Sequence, residues 1–205
     1  MNFSDLFSDK RLRGRRRFRK GERLLDPDSE HYAIILLESG TVEVSRYDIS
    51  GARLLQNFMS APQCFGLIES FAEAPLLSGI RALSDGTFYA LSPDDALFED
   101  KAFLTLMLTY VSSLYEEDIR RSVFEKRMSG RERVLFTIFR MTRPPFPYTL
   151  PLKREDLADL LGIARRSLYR YLSELEEEGF LARKGGKIVI SEAAYDAMGD
   201  VFGAL

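Results

Sequence analysis

From about Arg17 to Leu91 the apolar residues fall into short runs, each cut off by turn-forming residues. Runs at 32–37, 41–45, 54–58 and 87–91 are punctuated by Ser39-Gly40, Ser50-Gly51, Ala61-Pro62 and Asp85-Gly86. Short runs at this regular spacing predict a barrel or sandwich of β-strands. Within one run Val42 and Val44 alternate with Glu43 and Ser45, the period of a half-buried strand.

Beyond Pro93 the period changes. Ser92-Pro93-Asp94-Asp95 has the form of a helix start, with proline in the first turn and acids near the positive end of the dipole. Leu104, Leu108, Val111, Tyr115, Ile119 and Ser122 then recur every three or four residues, with no Gly or Pro until Gly130. The spacing predicts one long amphipathic helix over 93–128, more polar beyond Glu116. Such a helix either packs inside its own domain or pairs with a second copy, and its place between two domains favours the pair.

Ser129 and Glu132 have capping-box spacing, so a new helix restarts after a hinge at Ser129-Gly130. Val134, Leu135, Ile138 and Phe139 give it one apolar face. Arg143-Pro144-Pro145-Phe146-Pro147 cannot continue it and reads as a stiff extended loop.

The segment 154–173 has the spacing of a helix-turn-helix. Ala158 is small where two steeply crossed helices touch, and Gly162 stands in the turn between them. Leu157, Leu161, Leu168 and Leu172 supply the facing apolar positions. Ala164 occupies the N-cap of the second helix, where Ser or Thr would be stronger. The exposed face of that helix carries Arg165, Arg166, Ser167, Tyr169 and Arg170. Residues at the N-terminal end of a recognition helix reach base edges in the major groove, and arginine suits guanine. The glutamates at 174 and 176–178 lie further along and should point away from phosphate. Runs at 180–183 and 187–190 flank Lys184-Gly185-Gly186, a hairpin signal. A hairpin after a recognition helix is a wing, with Lys184 and Lys187 placed for phosphate.

Composition narrows the classes. With 205 residues and 45% hydrophobic content the chain can bury an ordinary core. A net charge of −2 gives no hint of a nucleic-acid partner, so a basic surface must be local. Eight of the 29 cations fall between Lys10 and Lys20, and this basic run (10–23) reads as a solvated face, with reinforcement of DNA binding or a contact with polymerase as the alternative. The lone Cys64 excludes an internal disulfide and a cysteine-rich cluster. The absence of an apolar leader or of a run of roughly 18 apolar residues points to the cytoplasm and to no membrane partner. No nucleophile–histidine–acid set and no glycine-rich phosphate loop is visible, and the single His31 is too little for a metal enzyme on a β-barrel. The expectation is therefore no enzyme, no catalytic residue, no cofactor and no metal.

Taken together the chain resembles the bacterial cyclic-AMP receptor protein/FNR (Crp/Fnr) family of transcription regulators. Besides the helix-turn-helix, the resemblance rests on Ser129-Gly130-Arg131, Phe18-x-Lys20-Gly21-Glu22, Gly40-x-Val42-x-Val44, Phe65-Gly66, Ser78 and Arg81-Ala82. It implies an α+β chain with a cyclic-nucleotide-binding-like β-roll (a double-stranded jelly-roll) over 1–92. A dimerisation helix over 93–128 and a winged helix-turn-helix over 129–205 would follow. The implied partners are double-stranded promoter DNA, a second copy along the 93–128 helix, and RNA polymerase. The implied base readers are Arg165, Arg166 and Arg170.

In the family's cyclic-nucleotide binders a glycine, a glutamate for the ribose and an Arg-Ser pair for the cyclic phosphate form the pocket. Here Gly66 keeps the glycine, Leu67 and Leu77 replace the glutamate and the arginine, and Ser78 remains. A phosphate buried without its guanidinium is a poorly compensated anion. Glu116 and Glu117 also stand where the cyclic-AMP receptor protein offers Thr and Ser to the purine. Arg81 could substitute only from the same strand face as Leu77. The expected pocket, Gly66, Leu67, Leu77, Ser78 and Arg81 with Leu76 nearby, suits a small apolar or weakly polar effector, or none. One cysteine cannot hold an FNR-type iron–sulfur cluster. His31 reads as a surface residue rather than a haem ligand, and Cys64 as a small buried apolar group rather than a redox thiol. A protein-interaction module and a ligand-independent regulator are the alternatives.

Overall fold

The computed structural model describes residues 3–27, 33–47, 53–76 and 78–202. The chain divides into two units, Met1–Ile119 and Arg120–Leu205. His31 and Leu77 lie outside the described residues.

In the first unit two four-stranded antiparallel sheets form a β-roll. One sheet runs β1 (Arg16–Phe18), β8 (Gly86–Leu91), β3 (Ile34–Ser39) and β6 (Gln63–Phe65). The other runs β2 (Arg23–Leu25), β7 (Gly79–Ala82), β4 (Thr41–Tyr47) and β5 (Arg53–Ser60). A short helix, α1 (Leu67–Phe71), follows β6. The unbroken apolar run of β3 has a physical cause: the strand is buried on both faces. Ile35 and Leu37 join Phe18, Leu25, Val42, Ile80 and Phe88 in a core between the sheets. Ile34 and Leu36 belong to a second core with Phe3, Leu6, Phe98, Phe103 and Met107. That layer comes from 3-10 turns at Phe3–Ser8 and Ala96–Glu99 and from the first half of α2 (Lys101–Glu125).

The half-buried reading of β4 needs correction. Glu43 and Ser45 are buried although they lie opposite Val42 and Val44. Arg81 of β7 sits beside Glu43 in register, its Nε 3.9 Å from Oε1, and compensates the covered carboxylate.

The helix expected from Pro93 starts instead at Lys101 and ends at Glu125. Of the two acids read as first-turn residues, Asp95 acts as a cap, and Asp100 caps α2 itself. The Asp95 side chain accepts from Leu97 N–H and ends in the 3-10 turn. Asp100 has extended backbone, and its carboxylate accepts from Ala102 N–H (2.6 Å) and Phe103 N–H (3.2 Å). Two apolar stripes share α2. Phe103, Leu106, Met107 and Tyr110 are buried in the β-roll, whereas Leu104, Leu108, Tyr115, Ile119 and Val123 are exposed.

The second unit packs α3 (Gly130–Met141), α4 (Arg154–Leu161), α5 (Arg165–Glu177) and α6 (Glu192–Phe202) around Val134, Ile138, Leu157, Leu168, Leu172 and Met198. The capping box forms: Ser129 N–H donates to Glu132 Oε2 (2.7 Å) and Glu132 N–H to Ser129 Oγ (3.3 Å). Bonding to the Ser129 N–H holds the Glu132 carboxyl below its ordinary range. The proline-rich stretch ends α3 as expected but bends at 144–147 rather than running extended, with cis bonds at Pro144-Pro145 and Phe146-Pro147, and β9 (Tyr148–Thr149) follows it. β9 adds a third strand beside β11 (Lys187–Ile190) and β10 (Ala182–Lys184), which the sequence pattern did not disclose.

Candidate nucleic-acid interface

The sequence builds a helix-turn-helix here. Ala158 and Leu157 of α4 are fully buried against Leu168 and Leu172 of α5, and a larger residue than Ala158 would push the helices apart. Gly162 ends α4 with φ 62° and ψ 35°, a left-handed conformation costly for a side-chain-bearing residue. Arg133 of α3 donates to the Leu161 carbonyl (2.9 Å), satisfying one of the free acceptors at that helix end. Ala164 caps α5 by backbone alone, with no side-chain bond.

Arg165 and Arg166 open α5, both exposed and in no ion pair within 4.0 Å among the described residues. Ser167 beside them is half-buried. Arg170 is exposed one turn on, over the Tyr171 ring (4.9 Å) and 3.7 Å from Glu174. Three of the four glutamates further along are engaged inside the unit, and Glu177 is exposed. Glu174 and Glu178 meet Arg131 of α3, and Glu176 accepts from the Arg183 side chain (2.6 Å) and backbone (2.7 Å). Those Arg183 bonds hold the Glu176 carboxyl below its ordinary range. Each acid that would repel phosphate at 174, 176 and 178 thus has an arginine partner inside the unit.

Tyr169 turns toward α4 rather than outward. Its hydroxyl donates to Glu155 Oε1 (3.4 Å), and the Arg154 guanidinium lies over its ring at 4.9 Å. Glu155's own N–H, then Tyr169 and the Arg165 and Arg154 charges, keep its carboxyl low. Arg154 also reaches the wing, since a Cβ on Gly186 would stand 3.8 Å from its Nη2. Sequence reasoning missed Arg154. The signal was present: a cation in the first turn of a helix opposes the dipole and calls for an anion nearby.

The wing is β10, the Gly185-Gly186 turn and β11. Both glycines have positive φ (55° and 79°), the requirement of the tight turn whose twist suits a hairpin. Lys184 and Lys187 pair directly across it, both exposed. Arg154, Arg165, Arg166, Arg170, Lys184 and Lys187 thus belong to the first turn of α4, the first two turns of α5 and a hairpin tip. The second unit has sixteen basic and twelve acidic residues against thirteen and nineteen in the first. Near-neutral composition hid this division.

Of the residues expected around an effector pocket, Leu77 lies outside the described residues, and Leu67 and Leu76 belong to different cores. Gly66 precedes α1, and Leu67 packs with Cys64, Val111 and Leu114 in the core beneath α2. Leu76 fills the other core, between the sheets. Ser78 donates to Gln56 Oε1 (3.0 Å). Arg81 lies on the outer face of its sheet, in a small depression with Arg23, Asp26, Pro27, Glu43 and Ser45. Cys64 is shielded by the same layer as Leu67, and burial pushes its thiol up to about 12. Among the described residues no cluster of His, Cys, Asp and Glu could hold a metal ion, and no described helix is long and apolar enough to cross a membrane.

Residues 132–195 match the family model of the Crp-like helix-turn-helix domain, and residues 15–99 match that of the cyclic nucleotide-binding domain. The chain is 23% identical over 184 residues to the cyclic AMP receptor protein of Thermus thermophilus, covering 88% of this chain and 85% of that one. Two solved structures share the fold. One is a transcriptional regulator of the CRP/FNR family from Thermus thermophilus (TM-score 0.71, 18% identity, 91% of this chain and 98% of that one). The other is FixK2 from Bradyrhizobium japonicum (TM-score 0.69, 20% identity, 91% and 96%).

Proposed function

The chain belongs to the Crp/Fnr family of DNA-binding transcription regulators, and we propose that it acts as a homodimer reading a near-palindromic promoter site under a control other than cyclic AMP or cyclic GMP. The carrying observation is the pair Arg165 and Arg166, exposed and outside any ion pair among the described residues, at the start of a fully packed recognition helix. Arg170 extends the reading face, while Arg154, Lys184 and Lys187 are placed to hold phosphate. Ser167 is the remaining polar contact. Tyr169 acts as a positioning residue that carries Arg154.

The dimer reading rests on α2. Its exposed stripe of Leu104, Leu108, Tyr115 and Ile119 has the spacing of a helix pair, and two copies would place two recognition helices on one duplex. In this reading the chain works in the cytoplasm beside RNA polymerase and performs no catalysis.

Against a cyclic nucleotide stand Leu67, packed into a core where the family's binders keep a glutamate, and Arg81, held by Glu43 on the outer face of its sheet. A small apolar effector, or none, suits these surroundings better.

Footprinting on the chain's own upstream DNA tests the proposal, with two protected half-sites about one helical turn apart expected. Arg165→Ala with Arg166→Ala should abolish sequence preference and leave the dimer intact; unchanged DNA affinity would favour a protein-interaction module instead. Calorimetric titration with cyclic AMP and cyclic GMP should give no heat of binding, and saturable binding of either would overturn the control reading.

A further inference from the structure

The first unit carries nineteen acidic residues against thirteen basic ones, yet eight of those thirteen lie between Lys10 and Lys20 with no acid among them. The structure separates these eight cations into two kinds. Arg11 is bound by Asp9 and Asp100, and Arg15 by Glu38 at 2.5 Å. The side chains of Lys10, Arg13, Arg16, Arg17, Arg19 and Lys20 are all exposed and form no ion pair within 4.0 Å among the described residues, although Asp9 feels the Arg13 charge and the Glu22 and Asp85 carboxylates accept from the backbone N–H groups of Arg19 and Lys20. Two of them lie on β1, an edge strand, and the others flank it.

An edge strand gains protection from edge-to-edge pairing with one or two charges. Six like charges exceed that need and repel one another, in a unit with acids enough to neutralise them. The apolar members of the segment, Leu12 and Phe18, are buried, so its exposed surface offers no aromatic or aliphatic anchor. Protein interfaces draw most of their energy from such anchors. A polyanion does not need them, and arginine, four of the six here, forms forked bonds to phosphate oxygens.

We infer that the basic edge around β1 is a second, sequence-independent binding surface for the phosphate backbone of double-stranded DNA. This rests on the DNA-binding reading of the chain and adds a surface in the unit that family comparison assigns to sensing.

The test uses the full chain and a fluorescent random-sequence duplex, with affinity measured over a range of salt concentrations. The variant Arg13→Gln, Arg16→Gln, Arg17→Gln and Arg19→Gln should lose slope in log affinity against log salt, by about 0.9 for each phosphate contact removed and so about three to four in all. The four corresponding lysine substitutions should keep most of the slope. A variant with Arg165→Gln and Arg166→Gln should still show the salt-dependent share that the basic edge supplies. Equal slopes for wild type and the four-glutamine variant, with unchanged thermal unfolding, would overturn the inference while leaving DNA binding by the second unit intact. Failure of the wild type to bind any duplex would overturn the DNA-binding reading itself.

Discussion

Gly130, the first residue of α3, lies against the ring of Tyr171 on α5: a Cβ at residue 130 would stand 2.9 Å from the hydroxyl oxygen and 3.2 Å from Cε2. The glycine is there for space. Tyr171 in turn lies beneath the Arg170 guanidinium, so hinge, ring and reading arginine form one stack. Gly130→Ala should displace the ring, lower thermal stability by about 1 kcal/mol and weaken specific DNA binding. In a Tyr171→Ala background the same change should become neutral or gain a few tenths of a kcal/mol, because alanine favours the helix. A double-mutant cycle followed by urea unfolding checks the coupling. Additive effects would mean that the ring does not press on residue 130.

The exposed stripe on α2 supports a separate prediction. Leu108 is 68% exposed and Ile119 45%, so neither holds the β-roll together. Leu108→Glu with Ile119→Glu should halve the mass seen by sedimentation equilibrium without lowering the unfolding temperature of the monomer. Since both half-sites would no longer be bound together, operator affinity should fall by about 100-fold. A variant that stayed dimeric would place the subunit contact elsewhere.

The sequence disclosed most of the second unit because its constraints are local. Ala158, Gly162 and the leucine spacing need only one another, and 3.6-residue periodicity shows which residues share a face. The β-roll was harder to read. β1, β2 and β6 are three residues each, too short for alternation to register, and they are held by distant pairings such as Phe18 with Gly86. The α2 pattern revealed the stripe that faces solvent and passed over Phe103, Leu106, Met107 and Tyr110, because a helix with two apolar stripes blurs both. Arg81 shows the same limit, since its strand face depends on registers with β2 and β4 that no local signal carries.

Cys64 and Tyr110 give a chemical prediction. The Tyr110 hydroxyl accepts from Cys64 N–H (3.0 Å), donates to Gln63 Oε1 (2.7 Å), and its ring stacks on Phe3 at 3.9 Å. A thiol raised to about 12 stays protonated at neutral pH, so thiol-specific reagents should react with the native protein far more slowly than with the urea-unfolded chain. Tyr110→Phe removes both bonds but keeps the ring, and should cost roughly 1–3 kcal/mol because it leaves buried polar groups unpaired. It should also speed labelling of Cys64. Rapid labelling of the wild type, equal to that of the unfolded chain, would contradict the shielding.

Acid sensitivity follows from three carboxylates of the second unit. Glu132, Glu155 and Glu176 are all held below the ordinary range: by the Ser129 N–H, by Glu155's own N–H with Tyr169, and by the Arg183 N–H and guanidinium. In the unfolded chain each returns to about 4.3. A depressed folded value means that the unfolded state binds protons more readily, so each group's stabilisation is complete above that pH. It is lost as pH falls through the folded values. The unit should therefore unfold more readily below about pH 4, and its melting temperature should be nearly flat between about pH 6 and 8 as far as these three groups are concerned. Glu176→Gln tests one of them. It should lower the melting temperature at neutral pH, because Arg183 loses a charged acceptor, and narrow the gap to wild type as both are acidified. A gap that stayed constant down to about pH 3 would show that Glu176 contributes no proton linkage.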